Sequence, residues 1–437
     1  MNPARRAWLK WPMGLTPLSG PAVCGLGLGA ASAQGAAQGA AQGAAQGAAQ
    51  GAAHLSAPGP APGSAPLTAH DTDIRRGRPL EFPRDHGAHV DARIEWWYVT
   101  GWLAPAERGG AVPAPAGATG EASPAAPTHG FQITFFRSRV AGLELGDGAS
   151  GRFVPRHLLF AHAAVTDLAA ARHPHAQRLA RWNGDPATGP DRASLHDADV
   201  RLGRWHLARD PSSAVPASRW RADLRAEGFA LRGTLQSAQP PLLQGEAGLS
   251  RKGPEERQAS HYYSLPQLLA SFELEMNGRR QSLRGRAWLD HEWSNQLLHP
   301  DAVGWDWIGI NLTDGAALTA FRLRRADGST LWAGGSQRGA HAGAEPRSFA
   351  PEEVQFVPQR RWRSAATNAE YPVSWQVNSP AGRHTVRALL DGQELDSRAS
   401  TGAVYWEGLA ELLDEHGRRI GLGYLEMTGY AAPIRLG

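Results

Sequence analysis

Cysteine and long apolar runs are both scarce in this 437-residue chain. The one cysteine, Cys24, lies close to the N-terminus, so the rest of the chain contains neither a disulfide nor a thiolate site. No stretch beyond the N-terminal region reaches the ~18 apolar residues that a membrane helix requires. These shortages exclude a disulfide-stabilised domain and cysteine catalysis, and they predict no transmembrane helix in the mature chain.

The formal net charge of +4 is concentrated near the N-terminus. Residues 1–33 contain Arg5, Arg6 and Lys10 and no acidic residue, so their removal leaves a charge of +1. A nearly neutral mature protein has no basic surface of the kind that binds nucleic acid. We therefore expect no nucleic-acid partner.

The N-terminal segment has the features of an export signal. Arg5 and Arg6 resemble a twin-arginine motif, an apolar stretch covers residues 13–30, and an A-x-A cleavage pattern occupies residues 31–33. We predict a signal peptide over 1–33 and a periplasmic or secreted protein. The following GAAQ repeats and Pro/Ala/Gly-rich run predict a disordered linker over 34–70.

Turn residues and tryptophan are abundant, with 51 Gly, 32 Pro and 16 Trp in the whole chain. Short β-branched and aromatic segments alternate with turn signals, and helical periodicity is scarce. Asn277-Gly278 predicts a tight hairpin, and 313–315 and 415–417 predict two more turns. The expected strands cover residues 94–103, 131–137, 158–167, 200–208, 219–224, 229–235, 272–276, 281–293, 305–312, 317–324, 373–377, 383–389, 405–413 and 420–430.

This pattern predicts an all-β fold of antiparallel barrels. The Trp-rich segment 95–103 is echoed by 305–312, which favours two barrels in tandem, over 71–296 and 297–437. A long Ala/Pro/Gly-rich surface insertion is expected at 104–127.

Residues 284–307 are the densest cluster of reactive and aromatic groups, with four Trp, three Asp, one Glu and two His. Strand alternation places Trp288, Asp290 and Glu292 on one face, and His291 and Trp293 on the other. If Asp290 faces an apolar barrel interior, burial raises its pKa and it can act as a general acid. The alternative is that Asp290 and Glu292 lie outside, paired with arginines.

Other kinds of catalytic site have weaker support in the sequence. No HExxH spacing occurs, His173 and His175 lie among surface-like arginines, and His291 faces away from its neighbouring carboxylates in a regular strand, so no metal is expected. The Gly-x-Ser-x-Gly motif of serine hydrolases is absent, and we interpret Gly334-Gly335-Ser336 as a turn-like segment.

Ordered motifs from about residue 80 to the C-terminus resemble the AttH-like and carotenoid 1,2-hydratase (hydroxyneurosporene synthase) family. The matching segments are EWWYVTG at 95–101, FQITFFR at 131–137, AHAAVTD at 161–167, HYYS at 261–264, AWLDHEW at 287–293, WDW at 305–307, YWEG at 405–408 and GYLEMTGY at 423–430.

The resemblance implies two lipocalin-like barrels, a long apolar lipid or isoprenoid ligand, and hydration of a terminal C=C bond without a cofactor. It places Asp290 and Trp293 at the family's D-x-x-W positions, as the catalytic candidates. An ideal strand separates these two residues onto opposite faces, so one pocket requires a bulge. The candidates for the pocket lining are Glu95, Trp97, Tyr98, His162, His261, Tyr263, Trp288, Glu292, Trp305 and Trp307.

Two other functions stay open. A non-catalytic lipid carrier or chaperone of the cell envelope would use the tryptophans only as lining and core, and peripheral membrane contact is compatible with such a ligand. A secreted hydrolase of unidentified substrate is the third interpretation, because fold resemblance alone does not fix an activity.

Overall fold

A computed structural model describes residues 74–106, 126–140 and 155–434, apart from 188, 215–216, 238, 297 and 342. The predicted signal peptide, the linker and most of the 104–127 insertion lie outside the described residues and stay predictions. Within the described residues no helix is both long enough and apolar enough to cross a membrane.

The first of two large sheets contains thirteen antiparallel strands in the order β4-β3-β2-β1-β13-β12-β9-β8-β7-β6-β5, with β10 and β11 paired beside β12. A short 3-10 helix, Arg84–His86, precedes it. The strands are β1 (Ile94–Pro105), β2 (His129–Arg139), β3 (His157–Asp167), β4 (His175–Trp182), β5 (Arg192–Ala193), β6 (Asp199–Leu202), β7 (Trp205–Arg209), β8 (Arg219–Arg225), β9 (Phe229–Gln236), β10 (Leu242–Leu243), β11 (Leu249–Arg251), β12 (Ala259–Met276) and β13 (Arg279–Ser294).

The second sheet contains ten strands in the order β17-β16-β15-β14-β25-β24-β22-β21-β18, with β23 paired to β24. A 3-10 helix at Pro351–Glu353 and a separate two-stranded sheet, β19–β20, lie beside it. The strands are β14 (Gly304–Leu312), β15 (Ala317–Arg324), β16 (Thr330–Arg338), β17 (Arg347–Phe349), β18 (Gln355–Pro358), β19 (Arg361–Arg363), β20 (Glu370–Pro372), β21 (Ser374–Ser379), β22 (Gly382–Ala388), β23 (Glu394–Ser397), β24 (Ala403–Leu413) and β25 (Arg419–Thr428).

The prediction of an all-β, lipocalin-like fold is confirmed. The first sheet forms a nearly closed barrel, because β3 and β4 at one end of the strand order contact β6 near the other. Its interior is filled by large side chains, including Trp97, Trp205, Trp220 and Trp293. A separate apolar core, which includes Trp375 and Trp406, packs against the second sheet.

The two sheets repeat one strand order. In each, the first strand pairs with both the second strand and the last strand, so β1 lies between β2 and β13 and β14 lies between β15 and β25. The connection from β13 to β14 therefore runs from the last strand of one sheet into the first strand of the next. The sequence echo between 95–103 and 305–312 corresponds to these two equivalent strands.

A buried ion pair is repeated together with the strand order. Glu95 on β1 lies opposite Arg137 on β2, and Arg137 Nε donates to Glu95 Oε2 over 2.8 Å. Asp306 on β14 lies opposite Arg322 on β15, and Arg322 Nε donates to Asp306 Oδ2 over 2.7 Å. All four side chains are buried. Each core therefore contains one charge-neutralised carboxylate at the same place in its sheet.

Two predictions of local structure need correction. Residues 200–208 form two strands, β6 and β7, because Gly203 adopts a positive φ of 56° and reverses the chain. The segment Gly334-Gly335-Ser336 is not a turn. It lies inside β16, where a Cβ on Gly335 would come within 2.3 Å of the Thr319 carbonyl oxygen, so the glycine permits close strand pairing.

We predict that Asp306→Asn lowers the free energy of unfolding by about 3–5 kcal/mol, because it leaves the buried Arg322 guanidinium without its counter-charge. Urea unfolding at neutral pH measures this loss. The matched control is Asp223→Asn, which breaks an exposed cross-strand pair with Arg232. That control should cost less than about 1 kcal/mol. Equal losses in the two variants would contradict a structural role for the buried pair.

Candidate functional site

The alternation of β13 divides the predicted site residues between two separate places. Ala287, Leu289 and Trp293 point into the core of the first barrel. Trp288 instead packs in a layer between the two sheets, together with Tyr98 and Trp307. Asp290 belongs to this second face. The hypothesis that Asp290 faces a barrel interior is therefore wrong, because it faces the second sheet.

Three neutral donors hold the Asp290 carboxyl group. Ser264 Oγ and Trp288 Nε1 donate to Oδ1 over 2.5 and 2.6 Å, and the Tyr262 hydroxyl donates to Oδ2 over 2.8 Å. Ser264 and Tyr98 lie directly opposite Asp290 on the two neighbouring strands. Asp290 is 3% exposed, and among the described residues it forms no ion pair with an arginine or lysine. The alternative of an external aspartate paired with arginine is therefore also wrong.

Burial raises the pKa of Asp290 to about 7, although the hydrogen bonds from Ser264, Trp288 and Tyr262 lower it. The nearby Glu292 carboxylate adds to the increase. An aspartate with this pKa exchanges its proton near neutral pH, which suits a general acid or base.

Aromatic rings surround this carboxyl group. The Trp288 and Trp307 rings meet edge-to-face with centroids 6.3 Å apart, and Tyr98 meets Trp307 in the same way at 5.6 Å. Trp307 Nε1 donates to the Tyr262 hydroxyl over 3.3 Å. The surroundings of Asp290 are thus buried and rich in π-electrons.

Lys252 contributes a buried cation to the layer. Its ammonium lies 3.0 Å from Glu292 Oε1, 4.2 Å from the centre of the Phe321 ring and 4.9 Å from that of Tyr262. Lys252 and Glu292 are 6% and 5% exposed. The pair neutralises Glu292 and connects β13 to a phenyl ring of the second sheet.

Two further carboxyl groups of the second sheet lie in this layer. Burial raises the pKa of Glu407 well above its usual range, and the neighbouring Glu426 adds to this. The pKa of Glu426 is also raised by burial, and Asp290 and Glu292 contribute. Trp305 Nε1 donates to Glu426 Oε1 over 2.9 Å. The layer therefore contains carboxyl groups with raised pKa values from both sheets.

A cleft of about 410 Å³ opens beside the layer. Residues 244–251 form its wall on the side of the first sheet, and Phe321, Trp332 and Phe349 form the opposite wall. Gln244, in the cleft wall, donates through Nε2 to Ser264 Oγ over 2.9 Å. Because Ser264 donates in turn to Asp290, two hydrogen bonds separate the carboxyl group from the cleft wall.

Trp293 and several other predicted pocket residues lie on the barrel side of β13. Trp97 Nε1 donates to the His86 carbonyl, and the Tyr263 hydroxyl lies 2.6 Å from His86 Nδ1. The His261 and Trp293 rings lie 5.5 Å apart. Glu95 accepts from the backbone N–H of His89. These side chains hold the segment 80–92 inside the barrel.

The structure therefore separates the D-x-x-W pair. Asp290 and Trp293 lie on opposite faces because β13 pairs with β1 without interruption from Ile94 to Pro105. Tyr98, Trp288, Glu292, Trp305 and Trp307 accompany Asp290 in or beside the layer, whereas Glu95, Trp97, His261 and Tyr263 accompany Trp293. His162 lies elsewhere, with its Nε2 2.9 Å from Ser400 Oγ.

Sequence reasoning missed Tyr262, Ser264, Lys252, Glu407 and Glu426 as site residues. The hairpin at 277–278 offers a way to find the partner of Asp290, but counting back from its turn pairs Asp290 with Leu265. A register shift between Leu265 and Leu268 moves the partner to Ser264. One extra residue exchanges the two faces of a strand. This irregularity therefore makes Ser264, and not Leu265, the cross-strand partner of Asp290.

We predict that the contribution of Asp290 to the stability of the wild-type protein falls as pH rises from about 4 to about 7. Folded Asp290 binds its proton up to a pKa of about 7, whereas the unfolded residue releases it near 3.8. This contribution is therefore greatest below the unfolded pKa and falls by up to about 1.4 kcal/mol per pH unit. Asp290→Asn removes this contribution. Urea unfolding at several pH values should show that the unfolding free energy of Asp290→Asn rises relative to that of wild type up to about pH 7. The unfolding free energy of Asp223→Asn should change with pH as that of wild type does. A constant difference between Asp290→Asn and wild type would contradict the raised pKa.

Comparison with known proteins identifies the family of the chain. The AttH-like family matches residues 117–430. An AttH protein from Nitrosomonas europaea, known from a crystal structure, is 43% identical to this chain in sequence. The two structures match with a TM-score of 0.69 over 82% of this chain and 99% of that one. Kievitone hydratase from Nectria haematococca has a TM-score of 0.57 at 14% identity, with 81% of this chain and 94% of that one covered, which shows a common fold alone. No curated protein matches the sequence. The chain belongs to the AttH-like family.

Proposed function

We propose that this protein is a cofactor-independent hydratase that adds water to a carbon–carbon double bond of an apolar, isoprenoid-like molecule bound between the two sheets. The observation that carries the proposal is the Asp290 carboxyl group, which is fully buried, held only by neutral donors and able to exchange a proton near neutral pH. The twin-arginine-like leader supports placing this activity outside the cytoplasm.

The reaction needs an acid in dry surroundings. Asp290 gives its proton to one alkene carbon, and the π-electron pair forms the new C–H bond. The alkene has to pass from the cleft into the layer to reach Asp290, and there the faces of Trp288 and Trp307 stabilise the cation left on the other carbon. A water oxygen then forms the C–O bond, and the proton released from that water returns to the Asp290 carboxylate. The sum is alkene plus water giving an alcohol, with the enzyme regenerated.

The hydrogen bonds around Asp290 suit both halves of this cycle. In the acid state the apolar surroundings favour the neutral carboxyl group. In the carboxylate state Ser264, Trp288 and Tyr262 stabilise the charge without neutralising it. A lysine or arginine paired with Asp290 would hold the carboxylate ionised and prevent protonation of an alkene. Lys252 is instead paired with Glu292.

The cleft between the sheets supports an apolar substrate. Phe321, Trp332 and Phe349 supply an aromatic wall, and Gln244, Ser250 and Arg251 supply polar groups at the opposite side. A ligand with an apolar chain and a polar end matches such a lining. The fold likeness to kievitone hydratase agrees with hydration chemistry on this architecture and does not identify the substrate.

We expect purified protein incubated with acyclic carotenoids and shorter isoprenoids to form a water adduct, detected by mass spectrometry. Asp290→Asn should lower the rate about 10²–10⁴-fold, as expected for loss of a general acid. The wild-type rate should fall about tenfold per pH unit above pH 7, since only the protonated acid is active. Asparagine preserves the shape of the side chain. Its amide oxygen can accept from Ser264 and Trp288 and its amide nitrogen can donate to the Tyr262 oxygen, so the variant should fold.

Asp223→Asn, on the outer face of the first sheet, is the matched control and should retain the wild-type rate. A variant Asp290→Asn that hydrates as fast as wild type would contradict the assignment of the acid. Ligand binding without any adduct, in wild type as in the variant, would overturn the hydratase proposal and favour a carrier.

A further inference from the structure

A group of two histidines and one glutamate lies inside the first barrel, on the opposite face of β13 from Asp290. His89 Nδ1 lies 2.8 Å and His291 Nε2 lies 3.0 Å from the same oxygen, Glu95 Oε1. All three side chains are at most 2% exposed. Two imidazole nitrogens and one carboxylate oxygen thus converge on one point, from the segment before β1, from β1 and from β13.

The other nitrogen of each imidazole ring also meets an acceptor. His89 Nε2 lies 3.0 Å from Asp85 Oδ1, and His291 Nδ1 lies 3.0 Å from the Asp85 carbonyl oxygen. A neutral imidazole has a single N–H. If each ring donates that N–H to Asp85, a lone pair on each ring faces a lone pair of Glu95 Oε1. If a ring donates to Glu95 instead, its lone pair faces an Asp85 oxygen. Neutral rings therefore cannot satisfy both sets of acceptors.

Protonation of His89 alone lets that ring donate to both Asp85 and Glu95, but a neutral His291 still turns a lone pair toward Glu95 Oε1 or the Asp85 carbonyl oxygen. Protonation of both rings is also a poor solution. Two imidazolium ions with centroids 5.7 Å apart would repel each other in a buried site, and Arg137 already pairs with the other oxygen of Glu95. The Tyr263 hydroxyl lies 3.2 Å from His291 Nδ1 and can donate to it, but the Asp85 carbonyl then faces a lone pair on that nitrogen. A cation among the three inner atoms satisfies all these contacts together.

We propose that His89 Nδ1, His291 Nε2 and Glu95 Oε1 bind a divalent first-row transition-metal ion. Two imidazoles and one carboxylate form a ligand set that Zn²⁺ prefers, and Fe²⁺, Co²⁺ and Ni²⁺ also accept it. Both rings then direct their remaining N–H at Asp85, as metal-bound histidines usually do toward a carboxylate or carbonyl group. This site is independent of the proposed hydratase chemistry.

The ligands are held in place before any metal binds. The His89 ring stacks on Trp293 at 3.6 Å with an interplanar angle of 6°, and the His291 ring stacks on Trp97 at 4.7 Å and 18°. Arg137 Nε fixes Glu95 through Oε2 and leaves Oε1 for the metal. Three buried residues, Trp293, Trp97 and Arg137, thus orient the three ligands.

The metal would fasten the segment 80–92 to the barrel wall. His89 belongs to that segment, while Glu95 and His291 belong to neighbouring strands. Because binding requires the folded arrangement, the metal should stabilise the protein.

Tag-free, full-length protein stripped with a chelator and titrated with Zn²⁺ should bind one ion per chain with a Kd below about 1 µM. Its thermal unfolding midpoint should rise with saturating Zn²⁺. Glu95→Gln and His291→Gln should each weaken binding by at least about 100-fold. The matched control is His162→Gln, which changes a fully buried histidine outside the group and should leave Zn²⁺ affinity unchanged.

If the substituted proteins fail to fold, the visible spectrum of Co²⁺-loaded wild type gives a second readout, and bands of a four- or five-coordinate ion with nitrogen and oxygen ligands support the site. Folded wild type that binds no Zn²⁺, or binding that survives both Glu95→Gln and His291→Gln, would overturn the proposal. Hydratase activity in a metal-free protein would not bear on Zn²⁺ binding. The metal site and the hydratase activity are therefore tested by separate measurements.

Discussion

The two-residue alternation of β13 is the constraint on which the rest of the structure depends. Since β13 lies between the interior of a filled barrel and the second sheet, its odd-numbered residues near the C-terminal end enter the barrel and its even-numbered residues enter the layer between the sheets. Asp290 and His291 are adjacent in sequence, but they belong to different chemical environments. One short motif thereby supplies two separate polar clusters.

The two clusters differ in how their charge is compensated. In the barrel, Arg137 neutralises Glu95, and the pKa of Glu95 is held well below its usual range despite the opposing effect of burial. In the layer, Asp290 has only neutral donors, so burial prevails and its pKa rises. Glu95 has the Arg137 guanidinium and the His89 and His291 rings beside it, and Asp290 has neither, which is why burial prevails for the pKa of Asp290 but not for that of Glu95.

The fold class and the hairpins follow from local sequence signals, and the Trp-rich echo between 95–103 and 305–312 indicates the internal repeat. Aromatic and β-branched segments, together with Asn-Gly and Asp-Gly turns, are sufficient to predict antiparallel sheets. The family resemblance adds the lipocalin-like architecture and directs attention to Asp290. Long-range register is not a local property, and the shift between Leu265 and Leu268 is what brings Ser264 to Asp290.

The spacing of residues in the sequence could not predict the group of His89, Glu95 and His291, for a similar reason. Metal motifs such as HExxH depend on neighbours within one helix or strand, whereas about 200 residues separate His89 from His291. Strand pairing alone places Glu95 close to His291, and the segment before β1 must fold back into the barrel to add His89. The expectation of no metal was based only on local spacing.

Carbon-13 NMR of protein labelled at the aspartate side-chain carboxyl carbon tests the central claim most directly, because it reports the protonation of Asp290 without interference from glutamates. One resonance, missing from the spectrum of Asp290→Asn, should titrate with a midpoint near pH 7. A resonance for Asp290 that is already fully ionised at pH 5 would contradict the account, because the residue would then have no proton to give at neutral pH.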